Sequence, residues 1–130
     1  MMKKVVVETV KVHSDFRGTV YEPIRPDELD FQRNAHVVTY LPGVVRGNHF
    51  HKSGTEIITV AGPARVAVRE NNSVRYIDVP DLQVFRFTIP PNVSHAIQNT
   101  GKEVTVLVAF NTIEHDRENP DTVEDILITV

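Results

Sequence analysis

The chain has 130 residues, of which 41% are hydrophobic and 24% charged, and its formal net charge is -3. This length predicts one globular domain over residues 1–130. The acidic balance and the lack of a basic stripe argue against a nucleic-acid partner. The chain has no cysteine, which excludes disulfides and thiolate metal ligands. No apolar run is long enough for a signal-peptide core or a membrane span, so we expect a cytoplasmic protein with no membrane partner.

Short strands punctuated by turn residues dominate the predicted secondary structure. Strands are predicted at residues 5–12, 36–41, 64–70, 73–79, 83–89, 95–99, 104–110 and 126–130, with a further short strand within 13–22. Residues 23–32 predict a loop or one helical turn, and residues 111–121 a surface loop. Asn71 and Asn72 suit a tight hairpin turn. With almost no helical periodicity, we expect an all-β sandwich or barrel with less than about a tenth of its residues in α-helix.

The two ends of the chain share one property, since segments 5–12 and 126–130 are both apolar and rich in β-branched residues. Strands of this kind at the edges of a sheet can pair with a second chain. The sequence therefore predicts a homodimer in which a terminal strand is buried between subunits.

The segment from Gly43 to Gly62 carries the strongest chemical signal. His49 and His51 are two apart, so a strand would place both imidazoles on one face. Glu56 follows a polar turn and opens the returning strand, where its carboxylate can meet the two rings. His95, after the Pro90–Pro91 turn, supplies a fourth ligand. The sequence predicts one divalent metal ion, zinc first, with nickel, manganese or iron as alternatives; a site without metal is the alternative interpretation.

These residues resemble the two motifs of the cupin superfamily. The first, G-x5-HxH-x3,4-E-x6-G, is matched from Gly43 to Gly62 with the last spacing one residue short. The second, G-x5-PxG-x2-H-x3-N, is matched from Pro90 to Asn99, with Val84 and Asn92 in place of its two glycines. Asparagine tolerates left-handed backbone conformations, so we expect the turn to keep its shape. The resemblance implies a double-stranded β-helix, the cupin jelly roll.

Within cupins, the chain is similar to sugar-nucleotide enzymes. Residues 15–22 are similar to the D-x-R-G-x-[FV]-x-E opening of the dTDP-4-dehydrorhamnose epimerase family, but His51 stands where that family usually has glutamine. The closer resemblance is to the carboxy-terminal cupin of the UDP-sugar reductase-epimerases of capsular polysaccharide synthesis. It is carried by residues 46–56, 89–99 and 111–122, with the segment Asn119–Thr122 intact, and it departs at Asn92, Val93 and Val123.

This resemblance implies a metal-dependent epimerase or isomerase that acts on a nucleotide-linked 4-keto sugar. A base would remove the proton beside the ketone, and the metal would stabilise the enolate. The candidate bases are His36, Tyr40, Lys52 and Tyr76. The candidate ligands for a diphosphate are Arg46 and Arg86, because a guanidinium presents a planar fork of donors. His13 and His115, in a predicted turn and loop, are interpreted as solvated. Two alternatives remain: a metal-binding cupin that binds a small anion or sugar without turnover, and a small cupin dioxygenase.

Overall fold

A computed structural model describes residues 4–130, and within them the chain forms twelve strands and one short helix. The strands are β1 (Val6–Val10), β2 (His13–Asp15), β3 (Gly18–Val20), β4 (Asn34–Tyr40), β5 (Val45–His51), β6 (Glu56–Ala61), β7 (Ala64–Glu70), β8 (Ser73–Val79), β9 (Val84–Ile89), β10 (His95–Asn99), β11 (Thr105–Asn111) and β12 (Thr122–Glu124), and the helix is α1 (Pro26–Leu29). No helix in this part of the chain has the length and apolar character needed to cross a membrane.

Ten of the strands form two five-stranded antiparallel sheets. The first has the order β1-β9-β6-β11-β4 and the second the order β12-β5-β10-β7-β8, while β2 and β3 form a separate hairpin. Side chains from both sheets pack into one apolar core, among them Phe87 and Ile89 from the first and Val66, Val68 and Ile97 from the second. The predicted all-β jelly roll is confirmed.

The sequence pattern of β9 explains only one of its two buried faces. Phe87 and Ile89 lie in the core, as the alternation of apolar residues predicts. Arg86 points to the opposite face, yet it is only 8% exposed. Its guanidinium donates hydrogen bonds to the backbone carbonyls of Pro23 and Glu22, each at 3.2 Å. The segment that precedes α1 therefore covers the outer face of the first sheet.

Three asparagines occupy two tight turns in which the backbone has a positive φ. Asn71 and Asn72, with φ of 51° and 68°, join β7 to β8 as a two-residue hairpin turn. Asn92 has a φ of 65° where the cupin motif has glycine, so the expected survival of that turn is confirmed.

The prediction of a final strand over residues 126–130 is wrong. The last strand is β12, which pairs with β5, and residues 125–130 form no strand. The reason is the side chain of Asn48, whose Oδ1 accepts hydrogen bonds from the amides of Leu127 and Ile128, while its Nδ2 donates to the carbonyl of Ile128. A side chain thus satisfies backbone groups that a neighbouring strand would otherwise pair.

The terminal strand through which we expect the predicted homodimer to form is β1. This strand forms one edge of the first sheet, and Val6 is 53% exposed. We expect sedimentation analysis to give a dimer at micromolar concentration, because an apolar edge strand is a template for pairing with a second chain. A monomer at that concentration would contradict the prediction.

Glu70 forms a buried link between the start of the chain and β8. It is 8% exposed, accepts a hydrogen bond from the amide of Val5 at 2.8 Å and binds the guanidinium of Arg75 at 2.8 Å. Burial raises the pKa of Glu70, but the contacts with Arg75 and Val5 outweigh it and lower the pKa below its ordinary value.

A carboxylate with a lowered pKa stabilises the fold above its unfolded pKa, which is about 4.3, and loses that contribution as the pH falls through the folded pKa. Glu70→Gln should therefore lower the free energy of unfolding by roughly 1–3 kcal/mol at pH 7. Urea denaturation should show this gap shrinking as the pH falls below about 4.3. A gap in acid equal to that at pH 7 would contradict the assigned role.

Candidate metal centre

A bulge in β5 aims its two histidines into the interior. Opposite β10, the register shifts so that His95 faces His49 while Ala96 faces Gly47. Gly47 and Asn48 both have a positive φ, of 88° and 58°. A Cβ on Gly47 would lie 2.8 Å from the carbonyl oxygen of His95, so only glycine allows the two strands to approach this closely.

His95 is held from the other side of the site. Its side chain is 1% exposed, and its Nδ1 lies 3.1 Å from the carbonyl oxygen of Val93. Because a carbonyl only accepts, Nδ1 carries the proton and donates, which leaves the lone pair of Nε2 facing the cluster. The turn before it is tied to the ligand strand, since the amide of Asn92 donates to the carbonyl of His51 at 2.7 Å.

The four predicted ligands meet at one point. The ligand atoms of His49, His51, Glu56 and His95 all lie within 4.8 Å of one another. Nε2 of His51 and Nε2 of His95 each lie 3.0 Å from a different oxygen of Glu56. Both nitrogens are nevertheless buried without a partner in hydrogen-bonding geometry.

This arrangement fits a divalent cation. Two ligands at right angles and ~2.1 Å from a common centre lie ~3.0 Å apart, which is the spacing found between each nitrogen and its carboxylate oxygen. A ring nitrogen and a carboxylate oxygen 3.0 Å apart require either a proton or a cation between them. Three imidazoles and one carboxylate suit zinc, nickel, manganese or iron.

The charges within the cluster are set by burial and by close contact. Burial and the neighbouring rings of His95 and His51 lower the pKa of His49 to about 4, so this imidazole is neutral at pH 7. Burial would raise the pKa of Glu56, but contacts with His51 and His95 outweigh it and lower the pKa. Burial would also lower the pKa of His51, but contact with Glu56 and the charge of Asp121 outweigh it and raise the pKa. The cluster therefore offers an ionised carboxylate and a neutral His49, the forms that bind metal, while metal competes with a proton at His51.

The cluster lies in a cavity of about 310 Å³ between the two sheets. Its apolar wall consists of Val38, Ile58, Ile97, Leu107 and Ala109. The polar residues that line it beside the four clustered side chains are His36, Arg46, His115 and Thr122. The space is therefore large enough for a small molecule and presents polar groups around its mouth.

Two of the predicted catalytic and substrate-binding residues line this cavity, namely His36 and Arg46. Tyr40 does not: it is 2% exposed within the apolar core, and burial together with Tyr21 raises its pKa to about 12. Lys52 is exposed in the turn between β5 and β6.

The two other candidates lie on outer surfaces. Tyr76 is 54% exposed on β8 beneath the guanidinium of Arg65, whose central carbon is 5.7 Å from the ring centre. Arg86 is engaged with backbone carbonyls outside the cavity, as described above. Their positions give neither side chain a route to the cluster.

Sequence reasoning missed Asp121, which holds the turn between the ligands on β5 and β6. Its carboxylate accepts hydrogen bonds from the amides of Ser53 and Gly54, and its carbonyl accepts one from Lys52. One carboxylate oxygen also lies 3.9 Å from Nδ1 of His51. The only sequence signal for Asp121 is that it lies in the segment Asn119–Thr122, which matches the reductase-epimerase cupins.

Asp121→Asn should weaken metal affinity by roughly 10–100-fold, because residues that orient a ligand contribute at this level. The substitution removes the negative charge beside His51 and one acceptor of the turn. Titration with zinc, monitored calorimetrically, measures the change. Asp81→Asn, at an exposed position, is the matched control, and an equal affinity in both variants would contradict the role.

Two antiparallel sheets in jelly-roll order, with three histidines and a glutamate converging between them, define a cupin. The chain belongs to the polysaccharide biosynthesis C-terminal domain family, whose model matches residues 13–123. The match covers the β2–β3 hairpin and the residues that line the cavity, and it ends within β12.

Known proteins resemble the chain in sequence and fold. It is 33% identical over 118 residues to the UDP-2-acetamido-2,6-beta-L-arabino-hexul-4-ose reductase of Pseudomonas aeruginosa, covering 87% of this chain but only 30% of that protein. It is 31% identical to the probable low-salt glycan biosynthesis epimerase Agl13 of Haloferax volcanii, covering 90% of this chain and 83% of that protein. The QdtA 3,4-ketoisomerase of Thermoanaerobacterium thermosaccharolyticum, crystallised with TDP, shares the fold with a TM-score of 0.69 and 21% identity over 96% of this chain and 90% of its own.

Proposed function

We propose that the chain is a metal-dependent epimerase or isomerase that acts on a nucleotide-linked 4-keto sugar. The observation that carries the proposal is the cluster of His49, His51, Glu56 and His95 inside a cavity large enough for a sugar. The names of the relatives support the substrate class, since one is a probable glycan biosynthesis epimerase and another is a reductase of a UDP-linked hexulose.

The chemistry requires the loss of a proton from a carbon next to a ketone. A divalent ion, when bound, would act as a Lewis acid on the ketone oxygen. The four clustered side chains would hold that ion. The five apolar residues of the cavity wall would exclude water from the reacting carbons. The substrate would occupy the cavity between this cluster and the apolar wall.

Arg46 is the residue that we assign to the diphosphate. It lies at the mouth of the cavity, and its side chain makes no hydrogen bond or ion pair with any residue in the described range 4–130. A free guanidinium is suited to a phosphate, which it can bind through two parallel hydrogen bonds. The nucleotide would then remain outside the cavity while the sugar enters.

The test is hydrogen exchange with solvent. Metal-loaded protein is incubated in deuterium oxide with UDP- and dTDP-linked 4-keto-6-deoxy sugars, and nuclear magnetic resonance follows deuterium at the carbon beside the ketone. We expect incorporation that stops when a chelator removes the metal. Metal-loaded protein that binds these sugars without exchange would instead support a binding cupin and would overturn the proposal.

A further inference from the structure

Two histidines outside the ligand cluster face the same cavity. His36 lies on β4 and His115 lies between β11 and β12, and their ring centres are 5.8 Å apart in an edge-on arrangement. β4 belongs to the first sheet, whereas β5 and β10, which carry the three clustered histidines, belong to the second. A molecule in the cavity can therefore touch the cluster on one side and this pair on the other.

The remaining polar groups of the cavity are poor proton carriers. A guanidinium such as that of Arg46 stays protonated in proteins, and the hydroxyl of Thr122 does not titrate near neutral pH. The four clustered side chains point at one another. Of the residues that the structure describes around this cavity, only His36 and His115 present an imidazole outside the cluster, a side chain that can both accept and donate a proton.

Local contacts restrain the ring of His36 and the segment that carries His115. The side-chain amide nitrogen of Asn34 lies 3.4 Å from Nδ1 of His36, and the strand register places the small Ala109 opposite, which leaves room for a substrate. The segment that carries His115 is fixed at both ends. At one end, Oδ1 of Asn111 accepts a hydrogen bond from the amide of Ile113 at 3.0 Å. At the other end, the carboxylate of Asp121 accepts hydrogen bonds from the β5–β6 turn.

We propose that His36 and His115 are the acid–base pair of this site, an assignment that depends on the proposed function. One neutral imidazole takes the proton as the carbon–hydrogen bond beside the ketone breaks, and the electron pair of that bond moves into the enolate. The other imidazole, protonated beforehand from solvent, returns a proton to carbon, and the carbonyl forms again. The step consumes no oxidant or co-reactant, and solvent resets the pair.

The experiment compares His36→Gln, His115→Gln and the double variant with His13→Gln, which alters an exposed histidine of β2 outside the cavity. Each protein is loaded with zinc, its metal content is measured, and deuterium exchange on the 4-keto sugar nucleotides is followed. We expect each cavity variant to keep full metal content and to lose at least ~100-fold in exchange rate, as general acid–base catalysis contributes ~10²–10⁴-fold. The double variant should be little slower than the slower single one, because the pair acts as a unit. Added imidazole should partly restore His36→Ala and His115→Ala.

Each outcome separates this inference from the proposed function. If either glutamine variant exchanges at the full wild-type rate, the acid–base assignment is overturned and the proposed function stands. Loss of metal in a glutamine variant also overturns it, because the histidine then acts on the cluster. Metal-loaded wild type that exchanges no proton overturns the proposed function and this inference with it.

Discussion

Replacing His51 with alanine should reduce binding of zinc by more than ~100-fold at pH 7, so that the purified variant carries no stoichiometric metal. The ring supplies one of four converging ligands, and its Nε2 lies 3.0 Å from Glu56. Loss of a ligand exceeds the ~10–100-fold cost of losing a residue that merely orients one. Metal analysis and calorimetric titration measure the effect.

The matched control is His13→Ala, which removes an exposed imidazole from the β2–β3 hairpin and should bind zinc as wild type does. Wild-type protein that takes up no zinc, nickel, manganese or iron at neutral pH would show that the cluster is structural. So would a His51→Ala variant with unchanged affinity.

Gly47→Ala should destabilise the fold and weaken metal binding together. An alanine at a φ of 88° costs about 1–2 kcal/mol, and its Cβ would press on the carbonyl oxygen of His95 at 2.8 Å. Relief of that contact must move β5 away from β10 and adds about 1–3 kcal/mol. Denaturant unfolding should therefore show a loss of roughly 2–5 kcal/mol.

Gly43→Ala is the matched control, because it imposes the same backbone strain without the steric contact. Gly43 has a similar φ of 80°, but a Cβ there would meet nothing within 4 Å. This variant should lose about 1–2 kcal/mol and keep its zinc affinity. Equal losses of stability and of zinc affinity in both variants would contradict the role assigned to the bulge.

Local spacing together with the cupin motifs predicted the cluster. His49 and His51 share a strand face because side chains alternate, and Glu56 follows after a turn whose length the sequence shows directly. His95 was located by its proline-led turn. Local signals such as the Asn71–Asn72 hairpin predicted a sandwich or barrel, and the resemblance to cupins narrowed this to the jelly roll.

The surroundings of the cluster could not be predicted in the same way. Asp121 binds amides 67 and 68 positions away, and Asn48 binds the chain 79 and 80 positions later. Such contacts depend on which loops the fold brings together, and no periodicity encodes them. For the same reason the solvated interpretation of His115 missed that its loop returns to the cavity, and strand parity could not show that Tyr40 lies deep in the core.

The ligands of the cluster do not come from one sheet. Glu56 begins β6 in the first sheet, whereas His49, His51 and His95 belong to the second. An ion bound there would act as a cross-link between the two halves of the molecule and would be released when they separate. Thermal stability would then follow mass action, with a gain of about 2.7 kcal/mol when free metal exceeds its dissociation constant a hundredfold. The melting temperature of this protein would thus report the metal supply of its surroundings.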